Sequence, residues 1–434
     1  MNAQTAAMRR IVGGSITITC PNLTTDQPRR GRCVDMINRM IPAPVSAHDD
    51  TCYLALKARD RRFDGIFFTG VTSTGIYCRP VCRVRTPKRE NCRFFPGAAQ
   101  AEQAGFRPCL RCRPELAPGQ PTFGSRSLTQ AWSMQDASGI LAQHAARLMD
   151  GLAPGHADAA SVARLAQRLG ISDRHLRRIF GAEFGVPPLR YLQTRQLLCA
   201  KQLLTDTSLS VSRVAQISGF ASVRRFNAVF LRHYRLNPTQ LRQTADRIVA
   251  SGSLPASIEL HLAYRPPYDV DAMLQFFARR AVTGIELVTL TPACKSIATT
   301  LRIGQGQSER SGWLIARFDE ARWRVTLTVS DSLGDVLPAV MAAVRVLLDL
   351  DADPQAINAV LHERFPAGDG LRLPGALDGF SLAVRTVLGQ QVTVAAARTL
   401  CNRLAQRFGQ AMETPVAGLN RLFPDAQVLG DANC

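Results

Sequence analysis

Four clustered cysteines constrain the fold of this chain more than any other feature. Cys78 and Cys82 are separated by three residues, and after a gap of 26 residues Cys109 and Cys112 are separated by two. Two such pairs can converge into a tetrahedral set of sulfur ligands for zinc. The spacing therefore predicts a Zn²⁺ site in a small, arginine-rich module, with Cys92 between the pairs as a spare buried thiol.

The chemistry of four sulfur ligands allows two interpretations. Such a site often only staples a small fold together. Four thiolates around one Zn²⁺ also carry a formal charge of −2, and metal binding keeps each sulfur deprotonated at neutral pH. An exposed ligand would then remain a nucleophile able to accept an alkyl group, so a structural and a reactive role both stay open.

The positive charge of the chain is concentrated in two stretches. The net charge is +19, and Cys52 to Glu115 holds 13 Lys and Arg against 5 Asp and Glu, a net of +8. From His156 to Ala245 the count is 14 against 4, a net of +10, whereas Pro255 to the end has 17 against 18. Two adjacent basic modules are typical of a nucleic-acid footprint, although a merely solvated basic surface is the alternative.

Length and composition indicate a soluble protein of several domains. The 434 residues exceed what one core organises, and the 46% apolar and 20% charged residues are an ordinary soluble balance. No run approaches the roughly 20 apolar residues of a membrane span. The twelve cysteines lack a secretory pattern, so we expect reduced thiols and a cytoplasmic, nucleoid-associated protein.

Two similar helical units are predicted in the middle of the chain. The turns are expected at Gly170 and Gly219, and Val214, Ala215, Ile217, Phe226, Phe230 and Leu231 recur at core spacing. Each unit has the features of a helix-turn-helix, and its second helix carries polar and basic residues: Ser172, His175, Arg177 and Arg178 in the first unit, and Ser222, Arg224, Arg225 and Asn227 in the second.

The sequence around the cysteines resembles the N-terminal domain of the Ada-type alkylation-response proteins. TGIYCRPVCRVR and AGFRPCLRCRPE carry this likeness, which covers Cys52 to Pro114. The resemblance implies that Cys78 accepts a methyl group from a DNA methylphosphotriester, with the other three cysteines as co-ligands. It also implies DNA-backbone contacts by Thr74, Arg85 and Arg107, whereas Leu110 stands where the family often has Lys.

Methyl transfer of this kind would make the site a sensor. Methylation turns a thiolate into a neutral thioether, so the site repels phosphates less and the affinity for DNA should rise. The acceptor is not regenerated, and the reaction is expected to run once.

The two helical units, from about His156 to Arg242, are similar to the AraC-type DNA-binding domain. This likeness implies that the second helix of each unit reads bases in the major groove of double-stranded DNA, while flanking arginines contact phosphates. A transcription activator of this kind is expected to act with RNA polymerase.

The last third of the chain resembles AlkA, the inducible 3-methyladenine DNA glycosylase, from about Ile258 to Phe423. Members of that family carry a DNA-gripping hairpin and a catalytic aspartate beyond this region. Only 43 residues follow Gln391, which stands at the DNA wedge position, and they hold neither feature. Glycosylase activity is therefore doubtful, and the chain is interpreted as a truncated or frame-shifted form of a longer protein.

The predicted fold class is multidomain and mainly α with α+β parts. It comprises a small zinc-bound α/β module, an all-α double helix-turn-helix, an α+β AlkA N-terminal-like domain and the start of an all-α helix-hairpin-helix domain. After Pro374 only helices are expected. The predicted boundaries are 1–49 for a disordered arm, 50–116 for the Ada-type domain, 117–155 for a linker and helix, 156–246 for the AraC-type domain, 255–365 for the AlkA-like domain and 366–434 for the partial glycosylase domain.

Three functions remain in view from the sequence. The leading interpretation is a DNA alkylation-response protein that transfers methyl groups to Cys78 and regulates transcription. The alternatives are an AraC-type regulator with a purely structural zinc site and a base-excising 3-methyladenine glycosylase.

Overall fold

The computed structural model describes residues 47–119, 134–150, 159–245, 257–304 and 309–431. Most of the predicted N-terminal arm and much of the linker lie outside these residues. Helix α1, Ala47–Ala58, begins three residues inside the predicted arm. None of the helices in the described ranges combines the length and hydropathy needed to cross a membrane.

The cysteine-rich module is built on a four-stranded sheet in the order β3-β1-β2-β4. The strands are β1 Phe68–Val71, β2 Ile76–Cys78, β3 Cys92–Phe95 and β4 Arg107–Pro108. Strand β1 pairs antiparallel with β2 and β3, whereas β2 and β4 are parallel. Helix α2, Ala98–Gln103, packs over the sheet, and Phe68, Tyr77 and Phe106 form its core. The combination of strands and a helix confirms the predicted α/β module.

The middle of the chain is helical, as predicted. Its helices are α3 Met134–Asp150, α4 Ala159–Arg168, α5 Asp173–Phe184, α6 Pro188–Asp206, α7 Val211–Ile217, α8 Val223–Tyr234 and α9 Pro238–Ala245. The turns before α5 and α8 contain Gly170 at φ +67° and Gly219 at φ +83°, left-handed conformations that glycine adopts without steric cost.

One predicted core residue of this region is exposed. Phe226, Phe230 and Tyr234 recur every four residues along α8 and are buried. Leu231 follows Phe230 by one position, about 100° further around the helix, and is 46% exposed. The core prediction for Leu231 is therefore wrong, because the apolar stripe is narrower than its spacing suggested.

A five-stranded antiparallel sheet follows, in the order β5-β9-β8-β7-β6. Its strands are β5 Ser257–Ala263, β6 Glu286–Thr291, β7 Cys294–Ile303, β8 Arg310–Asp319 and β9 Arg324–Ser330. Helices α10 Val270–Arg280 and α11 Leu337–Leu347 accompany it. The alternating burial along β5 and β9 agrees with the alternating sequence pattern.

The C-terminal part is not wholly helical, contrary to the prediction. It contains α12 Pro354–Leu361, α13 Gly379–Leu388, α14 Val394–Phe408 and α15 Ala426–Gly430. Between α14 and α15, the two-residue strands β10 Gln410–Ala411 and β11 Arg421–Leu422 pair antiparallel. Strands this short leave no periodic signal in a sequence. Several apolar side chains of α13 and α14 are exposed, including Leu382 and Val387.

The second helical unit and the five-stranded sheet share one core. A single cluster of buried side chains runs from Leu197 and Phe230 in the helices to Leu260 and Val344 at the sheet. Arg213 of α7 also lies 3.1 Å from the carboxylate of Asp331, which follows β9. These helices and the sheet are therefore packed together rather than joined only by a linker.

Candidate metal centre and nucleic-acid interface

The four predicted cysteines meet at the end of strands β2 and β4. Cys78 ends β2, Cys109 follows β4, and Cys82 and Cys112 lie in the loops that come after them. Their four sulfur atoms all lie within 4.8 Å of one another. A tetrahedral Zn²⁺ site with Zn–S bonds of about 2.3 Å has sulfur–sulfur edges of about 3.8 Å, so this donor set fits the ion.

The chemistry of the cluster also suits a cation, because four cysteine sulfurs form a ligand set that zinc prefers. The backbone N–H of Arg79 donates to the sulfur of Cys112 at 3.3 Å, as expected for a thiolate acceptor. The predicted zinc cofactor is thus supported by ligand type, ligand number and spacing.

A buried ion pair lies next to the four-cysteine cluster, called the cage below. The guanidinium of Arg79 pairs with the carboxylate of Asp64, and Nε donates to Oδ1 at 2.7 Å. Its Nη1 donates to the carbonyl oxygen of Cys112 at 3.1 Å. Arg79 therefore fixes the main chain on both sides of the cage, since it follows Cys78 directly in sequence.

Cys78 is less accessible than the sequence interpretation assumed. It is 5% exposed, and Cys112 is the most exposed of the four ligands. Cys78 and Cys82 line a small pocket with Thr69 and Val84.

Cys92 is a spare buried thiol, as predicted. It is 6% exposed and donates to the carbonyl oxygen of Lys88 at 3.3 Å. Burial raises its pKa to about 11, so this thiol stays protonated and inert at neutral pH.

Two of the three predicted backbone-contacting residues of the zinc module lie side by side. Thr74 is in the turn between β1 and β2, and Arg107 pairs across the parallel strands with Ile76. Arg85 is exposed and follows Val84, which packs against the cage. Leu110 is 45% exposed between two ligands, so the missing Lys leaves an apolar side chain on this surface.

Helix α5 is the second helix of the first unit. Its predicted DNA-contacting residues form a cap and two side-chain contacts within the helix. Ser172 caps the helix by accepting from the N–H of His175 at 3.2 Å. Arg177 pairs with Asp173 at 2.8 Å, and Arg178 Nη2 lies 3.3 Å from His175 Nδ1. Arg177 and Arg178 are exposed, and their role in DNA contact stays a prediction.

Helix α8 is the second helix of the second unit, and it begins with a cap of the same kind. Ser222 caps it by accepting from the N–H of Arg225 at 3.2 Å. Arg224, Arg225 and Asn227 are exposed on its surface. These assignments also remain predictions.

Gln391 lies apart from these helices, in the turn between α13 and α14. It is exposed and has a φ of +56°. Asp425, to which the sequence assigned no catalytic role, caps α15 by accepting from the N–H of Val428 at 2.9 Å.

Buried polar residues between the modules were missed from the sequence. Lys201 of α6 pairs with Glu115 beside the cage, and Arg265, after β5, is fully buried. Each stands among apolar neighbours, in LLCAKQLL and LHLAYRPPY. A charged residue in an apolar run signals a buried partner, although the sequence does not identify that partner.

Three family matches cover most of the described chain. Residues 51–115 match the metal binding domain of Ada, 165–244 match a helix-turn-helix domain, and 259–378 match the AlkA N-terminal domain. These matches agree with the predicted order of modules.

The chain is similar to proteins named as transcriptional activators and DNA repair enzymes. The chain is 35% identical over 393 residues to the probable bifunctional transcriptional activator/DNA repair enzyme AlkA of Mycobacterium tuberculosis, covering 88% of this chain and 74% of that protein. It is 37% identical over 145 residues to the bifunctional transcriptional activator/DNA repair enzyme Ada of Escherichia coli, which is 33% of this chain and 35% of that protein. The DNA methyl phosphotriester repair domain of Escherichia coli Ada is a solved structure with 40% identity and a TM-score of 0.16, covering 21% of this chain and all of that domain.

Proposed function

Since this chain belongs to the family of bifunctional transcriptional activators and DNA repair enzymes that joins Ada-type and AlkA-type domains, we propose that it repairs DNA methylphosphotriesters and regulates transcription in response. The cluster of four sulfur atoms within 4.8 Å is the observation that carries this proposal. It offers a zinc-bound thiolate inside a basic module that precedes a DNA-reading domain.

The proposed reaction is a single displacement at the methyl carbon. The thiolate sulfur of Cys78 attacks the methyl group, the new S–C bond forms, and the bond between that carbon and the phosphate oxygen breaks. The electron pair of the broken bond leaves with the phosphate, so the products are a Cys78 thioether and an ordinary phosphodiester anion. Bound zinc supplies the charge that keeps the sulfur ligands deprotonated. No proton transfer is needed, and the acceptor is consumed.

The charge change links repair to DNA binding. The formal charge of the zinc site goes from −2 to −1 when one thiolate becomes a thioether, so repulsion of DNA phosphates decreases. Thr74, Arg85 and Arg107 are proposed to contact the DNA backbone, and helices α5 and α8 to read the promoter. The methylated protein is then the activating form, and RNA polymerase is its proposed further partner. The cytoplasm, in association with the nucleoid, is the proposed location.

The test is a methyl-transfer experiment on the zinc-loaded full chain. The protein is incubated with a duplex carrying methylphosphotriesters, digested, and analysed by mass spectrometry. One added methyl group on the peptide with Cys78 is expected. The peptide with Cys112 is analysed in the same digest, because Cys112 is the more exposed ligand and would carry the methyl group if accessibility alone decided.

Two outcomes would favour the alternatives. Zinc and DNA binding without any transfer would leave the cage as a structural staple in a regulator. Release of 3-methyladenine from alkylated DNA in the same sample would reveal a glycosylase.

A further inference from the structure

Lys201 is a buried charge in the C-terminal half of helix α6. Its side chain is 1% exposed, and its ammonium group pairs with Glu115, whose side chain is also 1% exposed. A buried ion pair is a weak source of stability, because both charges lose their hydration. A leucine, the residue type found at positions 197, 198, 203 and 204 of this helix, would pack here without that cost. Stability alone therefore does not explain an ion pair at this position.

The ammonium group of Lys201 also reaches the main chain of a zinc ligand. Nζ lies 3.4 Å from the carbonyl oxygen of Cys109 and donates to it. The N–H of Cys109 donates to the carbonyl oxygen of Tyr77 at 2.9 Å. Tyr77 immediately precedes Cys78, so the lysine holds the junction of two strands that deliver two of the four sulfurs.

A second set of contacts holds this strand junction on its other side. The hydroxyl of Tyr77 donates to Glu102 Oε1 at 2.9 Å. The other carboxylate oxygen of Glu102, Oε2, accepts from the hydroxyl of Thr194 of α6 at 2.5 Å. His233 Nε2 of α8 lies 3.2 Å from Oε1. The strand pair between Cys78 and Cys109 is thus fixed by both α6 and α8.

Glu115 is held by more than one cation. Arg113 Nε lies 2.9 Å from its Oε1, and the same guanidinium lies 2.6 Å from Asp206 at the end of α6. Although burial acts in the opposite direction, Lys201 and Arg113 keep the pKa of Glu115 below its ordinary value. Glu115 is therefore paired with two cations, one from α6 and one from its own segment.

We propose that Lys201 is a positioning residue for the zinc centre, supplied by the DNA-reading domain to a cage in the repair domain. By holding the carbonyl group of Cys109, it contributes to the position of the Cys109 sulfur relative to the Cys78 sulfur. Coupling of this kind is reciprocal, so a change at the cage is felt by α6 and α8. This inference rests on the proposed methyl transfer for its consequence in repair, but the positioning of the metal is measurable without it.

The test compares three variants of the full chain. Lys201→Met removes the charge and keeps the length of the side chain, and Lys201→Arg restores a donor. Arg190→Met is the matched control, because Arg190 is exposed on the same helix. For each variant we would measure zinc affinity by competition with a chelator, the thiolate-to-cobalt absorption of the Co²⁺-loaded protein, and the rate constant of methyl transfer at saturating DNA.

The expected effects are specific to the metal centre. In Lys201→Met, zinc affinity and the transfer rate constant should each fall by about 10- to 100-fold, the usual effect of losing a group that orients a metal ligand. The cobalt absorption should shift, Lys201→Arg should recover part of each loss, and Arg190→Met should match the parent. Affinity for undamaged DNA should change little, because Lys201 does not face solvent.

A folding defect must be separated from a positioning effect. The double variant Lys201→Met with Glu115→Gln leaves no buried carboxylate without its lysine, and it should retain the weakened zinc affinity and the altered cobalt absorption. Parental zinc affinity, cobalt absorption and transfer rate in folded Lys201→Met would overturn the proposal. If the parent itself transfers no methyl group, the proposed function fails, whereas the zinc and cobalt measurements still decide the role of Lys201.

Discussion

Replacing Arg265 with methionine tests how firmly the zinc module is docked on the five-stranded sheet. The side chain is fully buried and donates to carbonyl oxygens of three separate segments. Nε donates to Asp64 at 2.8 Å, Nη1 to Asp351 at 2.6 Å and to Ala352 at 3.1 Å, and Nη2 to Gly119. Asp64 also pairs with Arg79 beside the cage, so this arginine connects the sheet to the metal centre.

The size of the effect follows from these contacts. Hydrogen bonds to a charged group contribute about 1.5–3 kcal/mol each, which for four acceptors sets an upper bound of about 6–12 kcal/mol. Burial lowers the pKa of Arg265, which shows that desolvation offsets part of this gain. The expected loss for Arg265→Met is therefore about 3–5 kcal/mol, the range found when one partner of a buried charged network is removed.

Urea unfolding of zinc-loaded protein provides the assay. In a Trp132→Phe background, used for parent and variants alike, tryptophan fluorescence reports on the sheet, where Trp313 lies in β8 and Trp323 precedes β9. A chromophoric chelator reports zinc release from the other module. In the variant, zinc release should move to lower urea by about 1–2.5 M, given slopes of about 2–3 kcal/mol per M, and should precede the fluorescence change.

Arg322→Met is the matched control, because its side chain is 70% exposed and pairs with Asp319 on the surface. Such a pair contributes at most about 1 kcal/mol. If Arg265→Met behaved like this control, with both signals still coincident, the docking argument would be refuted.

Three further predictions concern other parts of the molecule. Cys112→Ser should lower the zinc content measured by mass spectrometry of the metal, because it removes one of four sulfur donors; equal content in variant and parent would disprove the four-sulfur cage. Leu110→Lys should strengthen DNA binding and steepen the slope of log affinity against log salt concentration by about 0.9, since one more phosphate is neutralised. Fluorescence anisotropy across a salt series measures this slope. Leu361→Lys, at another exposed apolar position, is the control. Asp351→Asn should reduce the acid sensitivity of the protein. Burial opposes ionisation of Asp351, but Arg345 holds the pKa of this carboxyl group below its ordinary value. The ionised carboxylate therefore stabilises the fold at neutral pH, and this stabilisation is lost as the pH falls below about 4. Equal slopes of unfolding free energy against pH in Asp351→Asn and the parent would contradict this assignment.

The features that were predictable from sequence are those encoded locally. The cysteine spacing predicted the sulfur cluster, and Gly170 and Gly219 predicted the turns because only a few conformations satisfy such short-range constraints. Leu231 was misplaced because the width of an apolar stripe depends on what packs against the helix. Strands β10 and β11 were missed because two residues carry no period.

Contacts between modules could not be predicted in this way. The burial of Cys78 depends on loops that fold over it, and the partners of Lys201 and Arg265 lie far away along the chain. The sequence marks these two residues as unusual because their neighbours are apolar. Only the folded chain identifies the carbonyl groups that they bind.

The core shared by the second helical unit and the five-stranded sheet has a consequence for geometry on DNA. Phe230 of α8 and Leu260 of β5 belong to one packed cluster, so the position of the helix is linked to the position of the sheet. With α8 in the groove of a promoter, as we propose, the same packing determines the side of the duplex on which the sheet lies. Displacing the α8 binding site by half a helical turn would carry the sheet to the opposite side of the DNA.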